Sequence, residues 1–491
     1  MGIKRICVCS LVMCLFFLHL DTFAQKKGKK QERKGYEIKF IFKEIPDTLL
    51  YFAYHYAGNT YMYDTLYLSP KEPYTFISKK DTLLPRGIYS LANQGKVKLM
   101  DIIIDSSTTF SVKASSSHPN SIENIQFINS PENEMMNTFF STMTRYQRKI
   151  YSLADEIKKE ETSDNPDILQ IAERKRERYL YQDSMRNYMF NTFDNNPHTL
   201  FVKAQRLLYD IDMPESPRNT DGSLVDSNFE YNYYLNHYWD NMDFSEAALL
   251  YTPVFHPKLK TYFDEVVPPS IDSIIKYADL LIEKAKDNPE LFQHIVRYIT
   301  DKYERSKYVA HDAIFVHIVQ KYYAQGLCPW TDEAVLERML THAKKLSNIL
   351  IGRKAPELYM ADTNDIFHSN YEFNCKYTIM WFWDLDCGHC KSMTPKLIEF
   401  YNRAKDSLDF DVYAVCNADK EKLKQAIIER QLPWLNVGGN KANMDYRIVY
   451  EVTSTPVLFV LDREKKIIVK KIGIDELEPF LRNYEEGKIR Y

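Results

Sequence analysis

The chain has 491 residues, too long for one domain and suggesting about three by length. A charged fraction of 27% and a hydrophobic fraction of 45% are those of ordinary globular protein, and 14 glycines against 36 tyrosines leave little room for long flexible tracts. The net charge of −3 gives no support to a nucleic-acid-binding surface.

The first residues differ from the rest. Lys4 and Arg5 precede an apolar run from Ile6 to Leu20, and Thr22-Phe23-Ala24 supplies a small-x-small cleavage pattern before Gln25. This predicts a secretory signal peptide over 1–24. The rival reading, an uncleaved anchor, needs roughly 20 apolar residues, and this run is shorter. Leu11-Val12-Met13 puts no small residue before Cys14, so a lipoprotein cysteine is not expected. The mature chain is expected to be exported to the periplasm or cell envelope. Cys7, Cys9 and Cys14 leave with the signal, while Cys328, Cys375, Cys387, Cys390 and Cys416 stay. An exported protein held by disulfides carries scattered, even pairs. Here there is one close pair with three singles, so the pair points to chemistry and the singles to small buried apolar residues. Residues 25–35, with the stretch KKGKKQERK, read as a basic, solvated linker.

Across 36–115 the pattern is short and alternating: YEIKFIF, TLLYFAYHY, TYMYDTLYL, PYTFISKK, GIYSLANQ, KLMDIIID and TTFSVKA. Period-two runs between turn residues predict a small antiparallel β-sandwich. It holds no clustered acids, histidines or cysteines. An all-α domain is expected over 130–350. Ser130-Pro131-Glu132 has a capping residue, a first-turn proline and an acid suited to the positive helix end. Later helices are punctuated by Asn288-Pro289, Gly326 and Gly352. The tyrosine-rich EYNYYLNHYWDNMDF is expected to pack between helices rather than bind an extended polypeptide. His311 and His317, six apart, do not share a helix face well and read as structural, not as metal ligands. From 352 to 491 strands alternate with helices, which implies a mixed sheet covered on both faces.

The stretch WFWDLDCGHCKSMTP (381–395) carries the close pair, Cys387 and Cys390. Haem attachment needs a histidine after the second cysteine, and residue 391 is Lys. Structural zinc needs four ligands, commonly two close pairs, and no second pair exists. A C-x-x-C at a strand-to-helix junction reads instead as a redox dithiol with no other cofactor. Cys387 would sit at a helix N-terminus, where free N–H groups and the macrodipole favour the attacking thiolate. Cys390, a turn on and more buried, would resolve the mixed disulfide. Gly388 is expected to let the chain enter the helix tightly, and a charged His389 to stabilise the thiolate.

These residues resemble the thioredoxin fold and, more narrowly, the TlpA/ResA-like envelope thioredoxins, which open with a Gly-x-x-Ala-Pro like Gly352 to Pro356. The 36–115 pattern likewise resembles the β-domain that precedes such domains. The match covers about 352–491 and includes Trp383 before the first cysteine, Lys391 after the second, Pro395 in the active-site helix, and Thr455-Pro456 at the cis-proline loop. The resemblance implies a thiol–disulfide oxidoreductase, reductase or isomerase, acting on client proteins, with Thr455 offering backbone hydrogen bonds to a bound peptide. It also implies an envelope electron donor or acceptor, and upstream domains that recruit partners or form a homodimer. The alternative is a binding or scaffold protein whose redox domain is a sensor or tether. The inner Gly-His is that of protein disulfide isomerase, whose potential differs from that of thioredoxin by about 90 mV, roughly 4 kcal/mol. Against this, Asp384 and Asp386 would raise a nearby thiol pKa, and Asp386 stands where a tryptophan is usual. The family's buried acids are replaced by Trp381 and Met393, so the proton acceptor for Cys390 stays open among Glu357, water and His389. Peroxidase chemistry lacks its Pro-x-x-x-Thr-x-x-Cys motif, and Cys416 reads as packing.

Overall fold

A computed structural model of the chain describes residues 35–43, 47–105, 107–115, 125–308 and 310–489. The expected signal peptide, with Cys7, Cys9 and Cys14, and the KKGKKQERK stretch lie outside the described residues. The chain divides into two compact units, one ending at Val266 and one beginning at Val267, so the helical stretch expected over 130–350 is shared between them.

The first unit begins with β1 (Tyr36–Phe42), β2 (Leu49–Tyr56), β3 (Asn59–Tyr67), β4 (Thr75–Lys80), β5 (Gly87–Ala92), β6 (Lys98–Ile104), β7 (Thr109–Ala114) and β8 (Gln126–Ile128). In β1, Tyr36, Ile38, Phe40 and Phe42 are buried while their neighbours face outward, as a half-buried strand of period two requires. The strands form two sheets, ordered β4-β1-β7-β8 and β3-β2-β5-β6, and Phe40 of one meets Phe52 of the other with ring centroids 5.9 Å apart. The sandwich is not wholly antiparallel, because β1 and β7 pair parallel.

Next come α1 (Pro131–Glu161), α2 (Ile168–Asn195), α3 (Leu200–Leu208), α4 (Phe229–His237) and α5 (Phe255–Thr261). The Ser130 hydroxyl, expected to cap α1, makes no such bond and instead accepts from Asn133 Nδ2 at 2.8 Å. Asn133 in turn exchanges bonds with both backbone groups of Ile103 on β6, at 2.8 and 2.7 Å, fixing α1 to the sheet. Glu132 is buried and accepts from the Phe201 N–H at 2.7 Å, so its charge serves the first turn of α3 rather than its own helix. In the tyrosine-rich stretch, Tyr238 and Trp239 are buried and Tyr238 stacks on Tyr262 at 4.9 Å.

The second unit opens with α6 (Ile271–Ala285), α7 (Pro289–Glu304), α8 (Asp312–Ile318) and α9 (Glu333–Ser347), with Ser270, Asn288 and Asp332 capping α6, α7 and α9 by accepting from first-turn N–H groups. His311 bonds Ser306 Oγ at 2.8 Å and His317 bonds Asp279 at 3.0 Å. The chain continues as β9 (Tyr359–Asp362), β10 (Phe367–Ser369), β11 (Tyr377–Trp383), α10 (Gly388–Leu408), β12 (Phe410–Cys416), α11 (Lys420–Arg430), β13 (Leu435–Ala442), α12 (Tyr446–Val449), β14 (Val457–Leu461), β15 (Ile467–Lys470) and α13 (Ile474–Glu485). These strands make one mixed sheet ordered β10-β9-β13-β12-β11-β14-β15. Every residue of β11 is buried. Its odd positions join a core with Leu397, Phe400, Leu477 and Leu481 of α10 and α13, while Phe382 on the other face stacks on Tyr446 at 5.4 Å. A strand covered on both faces reads as a continuous apolar run, as YTIMWFW does. The Lys470 side chain, 1% exposed, pairs with Asp312 and donates to the Ile349 carbonyl at 2.8 Å, tying the helices to the sheet edge. Among the described residues, no helix is long and apolar enough to cross a membrane.

Candidate functional site

The site lies where the central strand β11 hands the chain to α10. Cys387 is the N-cap of α10, with extended backbone (φ −71°, ψ 118°), and its Sγ accepts from the Cys390 N–H at 3.2 Å. Sulfur here takes the place of the Ser or Asp oxygen that usually satisfies an orphan first-turn donor. Cys387 is half-buried, whereas Cys390 is fully buried against the core. Both are free thiols.

Strand pairing brings a second segment opposite. β14 runs antiparallel to β11 with Val457 facing Phe382, so Thr455-Pro456, just before β14, falls beside the exit from β11. That peptide bond is cis, and the Cys387 thiol donates to the Thr455 carbonyl at 3.2 Å.

The surroundings push the two thiols apart. Partial burial would raise the Cys387 pKa, but the bonds from Cys390, the Thr455 side chain and the His389 N–H outweigh it and hold the thiol below its ordinary value. Cys390 is pushed up to about 11, first by burial and then by its bond to Cys387. Cys416, at the end of β12, is pushed up to about 12 by burial, with the Asp384 charge adding to it.

Several expected residues stand in other roles. Gly388 has no left-handed φ, and apart from its chain neighbours and its own helix backbone a Cβ built there meets no heavy atom within 4 Å. His389 is exposed and acts on Cys387 through its backbone N–H. Asp384 accepts from the Asp386 N–H at 2.9 Å and from Asn417 at 3.4 Å, and the Cys387 pKa is lowered despite the two acids. Lys391 is exposed, and its N–H closes the first helical turn on the Cys387 carbonyl at 3.1 Å. α10 runs on through Pro395, whose missing N–H leaves the Lys391 carbonyl without its usual donor. Trp383 is buried, and Trp381, at the position of the family's buried acid, is buried with an unpartnered indole N–H. The Glu357 carboxylate accepts from Ser369 Oγ at 2.7 Å, and the side chains that shift the Cys390 pKa are those of Cys387 and Thr455.

Two contributions go beyond the sequence reading. Thr455 lowers the pKa of both thiols, and its bond to Cys387 runs through its carbonyl. Arg430, in the last turn of α11, lies 5.4 Å over the Trp383 ring and donates to the Leu385 carbonyl at 3.5 Å, bracing the segment that carries Cys387. A basic residue at a helix C-terminus is too common a sequence feature to signal this. Among the described residues, no group of three or more His, Cys, Asp or Glu is placed to hold a metal ion.

A family model described as thioredoxin-like matches residues 374–467, and one described as a domain of unknown function, DUF5106, matches 194–346. No curated protein matches the chain. Among solved structures, a domain of a "possible thiol-disulfide isomerase" from Cytophaga hutchinsonii is 40% identical, covering 29% of this chain and 97% of that one, with a TM-score of 0.27. A thiol:disulfide interchange protein from a Bacteroides species is 28% identical, covering 28% of this chain and 95% of that one, with a TM-score of 0.26. A thioredoxin-like protein from Bacteroides caccae is 17% identical, covering 56% of this chain and 98% of that one, with a TM-score of 0.40. The expected kinship with TlpA/ResA-like thioredoxins is consistent with these names. Through its C-terminal region, on the strength of the family model and of sequence identity, the chain belongs to the thioredoxin-like family.

Proposed function

We propose that the chain is an exported thiol–disulfide oxidoreductase that acts on protein disulfides of the cell envelope through Cys387 and Cys390. The observation that carries this reading is the bond from the Cys390 N–H to Cys387 Sγ at the mouth of α10, on a half-exposed sulfur. Names of relatives in the thiol–disulfide class support a redox role. The Cys387 thiolate attacks one sulfur of a client disulfide, the client S–S bond breaks, and the departing client thiolate takes up a proton. Cys390 then loses its proton and attacks Cys387 Sγ, and the second client thiolate leaves. The client gains two electrons and two protons, and the chain keeps a Cys387–Cys390 disulfide. A second dithiol, the envelope electron donor, must reduce that bond for another turnover; run in reverse, the same steps oxidise or reshuffle clients. Glycine at 388 leaves open space beside the sulfur, which suits the approach of a polypeptide.

The test is trapping. A Cys390→Ser chain expressed in an envelope-bearing bacterium should accumulate mixed disulfides with client proteins at Cys387. Absence of such adducts, together with no reduction of protein disulfides by the unmodified chain, would falsify the reading and favour a scaffold with a redox tether.

A further inference from the structure

A groove of about 620 Å³ runs between α9 and the segment from α12 to Thr453. Its near edge, Thr453, is two residues from Thr455, the residue that touches the Cys387 thiol. Two extended residues span about 7 Å. The groove therefore begins within reach of any polypeptide whose cysteine is bonded to Cys387.

Its walls are fixed before a client arrives. His342 of α9 bonds Glu451 at 2.7 Å, across the groove's base. The Lys470 bonds to Asp312 and to the Ile349 carbonyl, just after α9, hold the same helix on the sheet. The lining is mixed in a directed way. Ile448, 54% exposed, offers apolar surface beside the buried Val452. Glu451 presents no free negative charge, being paired with His342 and with Lys471 at 3.2 Å. Arg338 donates to the Ala334 carbonyl of its own helix, and neither Arg338 nor Lys345 has a carboxylate partner among the described residues. Arg447, a further cation, is held by Asp445 outside the groove at 3.1 Å, which leaves Glu337 as the opposing charge. The surface is thus cationic around an apolar patch.

We infer that this groove receives the stretch of client polypeptide flanking the attacked cysteine, and that it favours a stretch with an acidic side chain next to an apolar one, about two to four residues from that cysteine at the ~3.5 Å each extended residue spans. The helices before the redox domain would then set client preference. The inference rests on the proposed oxidoreductase reading and names the substrate feature that reading leaves open.

The experiment uses the full mature chain and disulfide-linked peptides that differ at one position, three residues from the cysteine: Glu, Gln or Lys. Peptide reduction is compared with that of a small uncharged disulfide. At low salt, kcat/KM is expected to favour Glu over Lys by roughly fivefold, with the preference falling as ionic strength rises. In an Arg338→Ala/Lys345→Ala chain the preference should fall to near one while small-disulfide reduction is unchanged. Lys344→Ala, an exposed α9 residue outside the groove, should keep it. No preference in the unaltered chain, or one that survives the double substitution, overturns the inference and leaves the oxidoreductase reading standing. A chain inert toward peptides and small disulfide alike overturns both.

Discussion

Cys387 follows the end of one strand by a short turn, and Cys416 ends the strand beside it. The last residues of β11 and β12, Trp383 and Cys416, face each other in register. Beyond Trp383 the chain makes a short turn and starts a helix with Cys387 as its cap, so that sulfur meets N–H donors and solvent. Cys416 ends its strand inside the core, and burial makes its thiolate costly. The same side chain is therefore poised to react in one place and inert in the other, though the two strands are direct neighbours in the sheet. The turn and helix start beyond β11 set the chemistry, not the strand itself.

Exchanging the two cysteines' roles by mutation should fail, and that failure is the largest effect expected. Cys387→Ala should reduce disulfide exchange to the background of the assay, because the attacking sulfur is gone. Cys416→Ala should keep exchange and lower stability by about 1 kcal/mol through lost packing, as read from denaturant unfolding.

The comparison also has a pH signature. Despite partial burial, hydrogen bonds hold the Cys387 pKa in the folded chain below its unfolded value. Its contribution to the stability of the reduced chain is then fully present above the unfolded pKa and is lost as pH falls through the folded pKa. Unfolding curves of reduced chain and of Cys387→Ser should converge as the solution is made more acid. Curves that keep a constant separation would remove the thiolate from the account.

Much of this is legible in the sequence. The alternating runs place β1 to β7, and YTIMWFW followed by the C-x-x-C places β11, α10 and the cap, because period and local spacing decide those features. The features that are not legible depend on distant partners. The parallel β1–β7 pair, the turn of Glu132 to α3 and the brace of Arg430 on Trp383 join residues far apart in the chain. Ser130 has the composition of a cap, yet Asn133 competes for its hydroxyl.

Smaller effects sharpen the picture around Cys387. Thr455→Val, which removes the hydroxyl and keeps the backbone carbonyl, should raise the Cys387 pKa and slow alkylation at neutral pH, measured with iodoacetamide. Gly388→Ala should fold normally and stabilise the chain by roughly 0.4–1 kcal/mol, since the added methyl meets nothing and the unfolded chain loses freedom. If that glycine keeps space for a client, the same variant should slow reduction of protein disulfides more than that of small ones.

The most direct test is the pH dependence of thiolate formation at Cys387, followed by ultraviolet absorbance in a reduced Cys390→Ala chain and in the unaltered chain. The account predicts that Cys387 in the unaltered chain titrates below an ordinary thiol, while Cys416 stays protonated throughout the accessible range. A Cys387 titration at or above the ordinary thiol value would contradict the claim that the start of α10 holds a reactive thiolate.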